Sequence, residues 1–477
     1  MNNTRKLTAF LTALSLCTLG SCSSQVGSAG NSSTDADFTE STTAVEETTE
    51  EITEPETDAV DLSLKGNFYD ANGVLLVSSE KQADGTERRV YSEEYGEPFA
   101  NIITEMSAGY DTTFNDILTE NGQSIQLTLD AELQKSIYEY LGEQKIIGSV
   151  VVLRTDGSIM SQVSYPSYDP NAVKEQKYDK ELAWGEFGNK AFQNYEPGSC
   201  FKIMSEVLAD KHGIYEQYDE GEWDFGSIPI VNWDHDRNTG YPMSRSLYSG
   251  FVNSSNIFFA KTFDQIGTED VLADLSSIFH FGADEKDDII CDFGSLENNI
   301  EIYCDDDLRR SAFGQSYVLT CPIFLAALGR EAVFGDMVTP FVVKNIVDTA
   351  DGKTVIGEGS KSCDVIASIP EQYRENLRNG MQGVGSGLGV YLPEQYKFYA
   401  KTGTAETWVD DFLYITGILC NTNDKPETEY ADYSKYSENG SYVVVMQIQN
   451  PTELGYAFAS ESQALYRGIV DIVMGKE

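Results

Sequence analysis

Histidine is scarce in this chain. Three occur in 477 residues, His212, His235 and His280, too scattered to suggest a zinc site. Cations are scarce as well: 33 Lys and Arg stand against 77 Asp and Glu, a formal net charge of −44. A nucleic-acid binder needs an excess of Lys and Arg to neutralise phosphates, so that class is excluded. Attraction to anionic lipid is disfavoured for the same reason. The eight cysteines include no Cys-x-x-Cys pair, which removes the commonest metal and redox motifs. Cys291 and Cys304 are disulfide candidates that spacing alone cannot settle, and most of the other cysteines beyond residue 22 read as small buried apolar residues. The glycines of Gly383-Val384-Gly385-Ser386-Gly387 lack the Lys-Ser or Lys-Thr that a phosphate loop requires, and read as a flexible connection. No metal and no cofactor is indicated.

What is present begins with an export pattern. Arg5 and Lys6 are the only cations before Lys65, and Leu7 to Leu19 is apolar, as in a secretory signal. The run is shorter than the roughly 20 residues that span a bilayer. Leu19-Gly20-Ser21-Cys22 resembles a bacterial lipobox, so residues 1–22 are expected to be a signal peptide with Cys22 as the lipidated N-terminus. An uncleaved anchor and an ordinary signal peptide are the alternatives. Residues 23–60 are rich in Ser, Thr and Glu, with ten carboxylates between Asp35 and Asp58 and no cation. Such a segment has too little apolar surface to fold and is expected to be a disordered tether.

The chemistry centres on Tyr195-Glu196-Pro197-Gly198-Ser199-Cys200-Phe201-Lys202. Pro197 and Gly198 break the chain, and Phe201, Met204 and Leu208 then follow helical spacing to a stop at Gly213. Ser199 is thus placed at a helix N-terminus, where unpaired N–H groups favour a developing oxyanion. Lys202 follows three residues later on the same face. A lysine activates a serine only when burial and nearby positive charge lower its pKa far below about 10.4. Cys200 points about 100° away around the helix and reads as packing. Ser78-Ser79-Glu80-Lys81 has the same spacing in a charged run without a helix, and reads as solvated surface.

Two further motifs fall in order. Ser254-Ser255-Asn256 opens a second helix with Phe259, Phe263 and Ile266 on one face, and Lys401-Thr402-Gly403-Thr404 lies in a strand-like run. Ser-x-x-Lys, Ser-x-Asn and Lys-Thr-Gly together form the signature of penicillin-binding proteins and serine β-lactamases. The chain resembles that family, and its Lys-Thr-Gly-Thr-Ala-Glu at 401–406 is similar to the class B transpeptidases. Leu127-Thr128-Leu129-Asp130, Tyr165-Pro166-Ser167-Tyr168-Asp169-Pro170 and Gly314-Gln315 with Thr320-Cys321-Pro322 extend the likeness over about three quarters of the chain.

The resemblance implies an α/β fold: a five-stranded, mainly antiparallel sheet flanked by helices, with a small N-terminal β-containing pedestal. Domains are expected at 61–125 (pedestal, opened by a hairpin at Asn72-Gly73) and 126–477 (transpeptidase), with no room upstream for a glycosyltransferase domain. By the same resemblance Ser199 is the nucleophile, Lys202 its base and Ser254 a proton relay. Asn256, Lys401, Thr402, Gly403 and Thr404 bind substrate, and the N–H groups of Ser199 and Thr404 form the oxyanion hole. Gly403 is expected to leave space for the acyl group. The implied activity is a peptidoglycan D,D-transpeptidase, acylated by β-lactams and acting outside the cytoplasmic membrane. Its partners would be stem peptides, the membrane through Cys22 or an N-terminal anchor, and a membrane glycan polymerase. A D,D-carboxypeptidase and a receptor that is acylated without turnover are the competing readings. The chain has no Glu-x-x-Leu-Asn element of the class A β-lactamase type, so slow drug turnover is expected.

Overall fold

The computed structural model describes residues 61–476, except 62, 105–108, 121, 175–187, 226–227, 238–239, 361–364, 407–410 and 424–439. The expected signal peptide, Cys22 and the acidic segment 23–60 lie outside these residues. Among the described residues no helix is long and apolar enough to cross a membrane.

The central sheet is built from β1 (Gly148–Arg154), β2 (Ile159–Tyr165), β3 (Tyr396–Ala405), β4 (Phe412–Asn421) and β5 (Tyr442–Ile448). Its order is β3-β4-β5-β1-β2, and every neighbouring pair is antiparallel. Period-two alternation sends successive side chains to opposite faces, and here both faces are covered. Val151, Leu153, Val443 and Val445 join one core, while Val150, Val152, Val444 and Met446 join the other. This explains why β1 and β5 read as continuous apolar runs rather than alternating ones. Helices α1 (Ala131–Glu143) and α6 (Gln463–Val473) cover the second face through Leu133, Ile137, Ile469 and Val473. The first face carries α4 (Pro322–Phe334), and α2 (Lys202–Lys211) and α3 (Asn256–Ile266) join the same core, through residues such as Ile323, Ile203 and Phe259.

A second sheet of six strands departs from the expected pedestal. It pairs the strands at 68–69, 75–81, 87–91 and 123–127 with two later ones, Val343–Asp348 and Val355–Glu358. The hairpin expected at Asn72-Gly73 is present, closed by the Asp70 carboxylate, which accepts the N–H groups of Asn72 and Val74 at 2.8 and 2.7 Å. A strand over Gln123–Leu127 belongs to this sheet, so the boundary drawn at 125/126 falls inside a strand. Buried Ile125 and Leu127 set its face, and Ile125 lies opposite both Phe68 and Ile346.

The glycines at 383–387 are not a flexible connection. They are the last turn of helix α5 (Glu371–Gly387). A Cβ at Gly383 would lie 2.7 Å from the Tyr248 hydroxyl, and one at Gly385 would lie 2.7 Å from the Phe398 carbonyl oxygen. Small residues let this helix press against β3, which offsets their poor helix propensity. Cys291 and Cys304 are both free thiols, one buried and one exposed, so the candidate disulfide is not formed.

Candidate active site

Pro197 introduces a 3₁₀ turn, Gly198–Phe201, which runs directly into α2. Gly198 sits at φ +53°, and a Cβ there would come within 2.3 Å of the Thr404 carbonyl oxygen. Its N–H donates to the Gly314 carbonyl at 3.1 Å. Glycine is therefore required for the turn to lie flat on β3. The opposite surface of the contact is Gly403, where a Cβ would meet the Pro197 oxygen at 2.8 Å and the Cys200 sulfur at 2.9 Å. The space expected at Gly403 for an acyl group is thus occupied by the turn that carries Ser199.

Lys202 is fully buried. Its Nζ lies 2.7 Å from the Ser254 carbonyl oxygen and 2.7 Å from Asn256 Oδ1; Ser199 Oγ is at 2.9 Å and Ser254 Oγ at 3.2 Å. Burial, followed by the charge of Lys401, holds the amine well below the ordinary lysine range. A neutral amine has two N–H donors and one lone pair. The two shortest contacts are pure acceptors and take the N–H donors, which leaves the lone pair for a serine hydroxyl.

Ser254 links the two lysines. Its Oγ accepts from the Lys401 ammonium at 3.0 Å and faces Lys202 at 3.2 Å. Lys401, also buried, donates to the Thr402 carbonyl at 2.8 Å, and desolvation brings it down to about 8. The helix cap is Ser255, not Ser254: Ser255 Oγ accepts the Phe258 N–H, while Ser254 adopts φ +55°.

An open cleft of about 890 Å³ lies over this cluster, lined among others by Ser199, Ser254, Asn256, Thr402 and Thr404. Neither lysine amine lines it. Both are buried against Ser254, so around Ser199 and Ser254 the cleft presents hydroxyls and the Asn256 amide with the two lysines beneath, while Arg310, His235, Asp236 and Glu406 line it elsewhere. Asn256 is also more committed than expected, since its Nδ2 donates to the Val231 carbonyl at 2.9 Å. Thr404 Oγ1 accepts the Ala459 N–H at 3.3 Å. Cys200 is buried under β3 and β4, near the Lys401 carbonyl and Thr416, and burial pushes its thiol up to about 11.

Motif reading missed several groups. Trp233 and Phe458 form an aromatic pair on the cleft wall, 5.4 Å between centroids. Asp219, Asn232 and Arg245 lie behind the Ser254 turn. None stands at a fixed spacing from a catalytic motif, so no local pattern marked them.

A buried lysine held against a serine hydroxyl, at the edge of a five-stranded antiparallel sheet with helices on both faces, describes an active-serine protein of the Ser-Lys kind. The family model of the penicillin-binding protein transpeptidase domain matches residues 148–471, and the chain belongs to that family. It is 25% identical over 417 residues to penicillin-binding protein 3 of Bacillus subtilis, covering 82% of this chain and 56% of the relative. It is 29% identical over 255 residues to the peptidoglycan D,D-transpeptidase FtsI homolog of Chlorokybus atmophyticus, covering 50% and 37%. The chain thus spans little more than half, or less, of these relatives. Among solved structures, the D,D-transpeptidase domain of a peptidoglycan glycosyltransferase from Eggerthella lenta superposes with a TM-score of 0.68 at 20% identity, covering 87% of this chain and 98% of that one. Penicillin-binding protein A of M. tuberculosis, solved as a ceftriaxone acyl-enzyme, also gives 0.68, at 18% identity and coverage of 87% and 99%.

Proposed function

We propose that this protein is a peptidoglycan D,D-transpeptidase working through an acyl-Ser199 intermediate. The observation that carries the reading is the buried Lys202 amine, 2.9 Å from Ser199 Oγ, with its N–H donors already engaged. Ser199 Oγ attacks the penultimate D-Ala carbonyl of a stem peptide while Lys202 takes its proton. The N–H groups of Ser199 and Thr404 receive the oxyanion, a contribution of about 2.7–4 kcal/mol per donor. Ser254 passes the proton to the departing D-Ala amine. An amine from a second stem peptide then displaces Ser199 and forms the cross-link. Thr402 and Thr404 hydroxyls meet the substrate carboxylate, with the Lys401 charge behind them.

β-Lactams are expected to acylate the same serine and leave slowly. The protein is placed outside the cytoplasmic membrane and held to its outer face through lipidated Cys22, with 23–60 as tether and a membrane glycan polymerase as neighbour. The hydrophobic run before Cys22 and the uncompensated acidity after it support this placement. Labelling with a fluorescent penicillin, parent against Ser199→Ala, tests the nucleophile: equal labelling of both rejects it. Product analysis with a stem-peptide donor then separates the activities, cross-linked product appearing only with an amine acceptor. Hydrolysis alone would make the protein a carboxypeptidase, and acylation with neither product a receptor. Release of the Cys22→Ala protein from the membrane tests the anchor.

A further inference from the structure

Ser254 holds a left-handed backbone conformation, φ +55°, which costs a non-glycine residue of order 1 kcal/mol or more and persists only where its surroundings impose it. The surroundings converge on Asp219, a fully buried carboxylate at the end of the strand Glu216–Asp219. Asp219 Oδ2 accepts from Arg245 Nε at 2.5 Å, Ser255 Oγ at 2.7 Å and Asn232 Nδ2 at 2.9 Å. Its Oδ1 accepts from Asn232 Nδ2 at 2.8 Å and from the Gly221 N–H at 2.9 Å. Every partner donates. Asn232, fixed from this side, turns its own Oδ1 to the N–H groups of Asn256 at 2.7 Å and Ile257 at 3.3 Å, and to Ser255 Oγ at 3.3 Å. The carboxylate therefore grips the two residues that follow Ser254, directly at Ser255 and through Asn232 at Asn256.

We propose that Asp219 is a positioning residue for acyl transfer at Ser199: it holds the Ser254–Ser255–Asn256 turn, and with it the relay hydroxyl and the amide oxygen that orients Lys202. The inference rests on the Ser199–Lys202 reading above. Asp219 also acts on Lys202 through its charge. The charged and titratable groups facing Lys202 are Lys401 from β3, Cys200 from the nucleophile turn and Asp219 from behind the Ser254 turn. Asp219 favours the protonated lysine and Lys401 opposes it. Arg245, stacked 5.3 Å from the Tyr241 ring centroid, neutralises Asp219 from its far side.

The test is the pH profile of penicillin acylation, measured as rate at limiting drug, for Asp219→Asn and Arg245→Gln in the full-length protein. Asparagine preserves the volume but turns an NH₂ group toward donors. The maximal rate of Asp219→Asn is expected to fall on the order of 10- to 100-fold, as for a misplacement of about 1 Å, and the acid-side midpoint to move down with loss of the negative charge. Arg245→Gln leaves that charge unopposed, so its midpoint moves up. Glu196, raised to about 7 by burial and by Glu406, adds the same background to all profiles and cancels in the comparison. Parental rates and midpoints in both variants overturn the proposal, as does a rate loss with parental midpoints in both. If Asp219→Asn does not fold, Arg245→Gln decides alone: an upward midpoint supports the proposal and an unmoved one overturns it. Persistent labelling of Ser199→Ala would instead sink the underlying reading, whatever Asp219 does.

Discussion

The chain contains the spacing Ser-x-x-Lys in two regions, and they behave oppositely. At 78–81 the four residues lie within the strand Leu75–Lys81 of the six-stranded sheet, with Lys81 59% exposed and paired to Asp61 at 3.6 Å. At 199–202 the same spacing spans a 3₁₀ turn and the first residue of α2, and Lys202 is fully buried against Ser199. In a strand, residues three apart point to opposite faces; in a helical turn they share one. The motif acquires its chemistry from the period of the backbone beneath it, and from the core that closes over the amine.

The comparison breaks most sharply at the serines. Ser199→Ala is expected to abolish covalent penicillin labelling, whereas Ser78→Ala labels as the parent does; a gel of labelled protein reads both. At the lysines, Lys202→Met should slow acylation on the order of 10²- to 10⁴-fold, the usual contribution of a positioned base, and Lys81→Met should leave the rate unchanged in stopped-flow acylation.

Proton titration sharpens the contrast further. The proposed acylation needs Lys202 neutral, so activity is expected to rise with pH through its lowered value. In the same proposal a charged Lys401 attracts the substrate carboxylate, and burial brings Lys401 down to about 8. The profile is therefore expected to have an alkaline limb near pH 8, falling roughly tenfold per unit beyond it. A rate still climbing through pH 9 would remove Lys401 from substrate binding.

Two glycines carry the comparison to the backbone. Gly198→Ala must fit a Cβ 2.3 Å from the Thr404 oxygen at φ +53°, while Gly85→Ala, at φ +83° in the hairpin after Lys81, meets open space. Denaturant titration should show a loss of about 1–3 kcal/mol from strain at Gly198, with acylation impaired, and only the smaller backbone cost at Gly85. The smallest effect is expected for Lys81→Ala, within about 0.5 kcal/mol of the parent, because an exposed ion pair adds little.

Much of the central architecture was legible from local pattern. The strand around Lys401–Thr404, the helix after Ser199 that stops before Gly213 and the helix opened at Ser254-Ser255-Asn256 all follow from apolar period and turn residues. The six-stranded sheet was not. Its pairing of Ile125 with Ile346 joins segments far apart in the chain, and long-range pairing leaves no mark within either segment. The glycines at 383–387 were misread because a glycine placed for close helix packing looks in sequence like one placed for flexibility.

The amino-acid order by itself settled the inventory: a serine and a lysine one turn apart, a Ser-x-Asn and a Lys-Thr-Gly downstream, and helical or extended periods around each. Folding decided that Lys202 and Lys401 lie behind the cleft wall rather than on it, that Ser254 stands between them, and that Asp219 is tied to the turn they share. The physical reason is that residue type and spacing are covalent properties of the chain. The protonation state of a lysine instead depends on how much water is excluded and which charges approach through space, and neither exists until distant segments have packed.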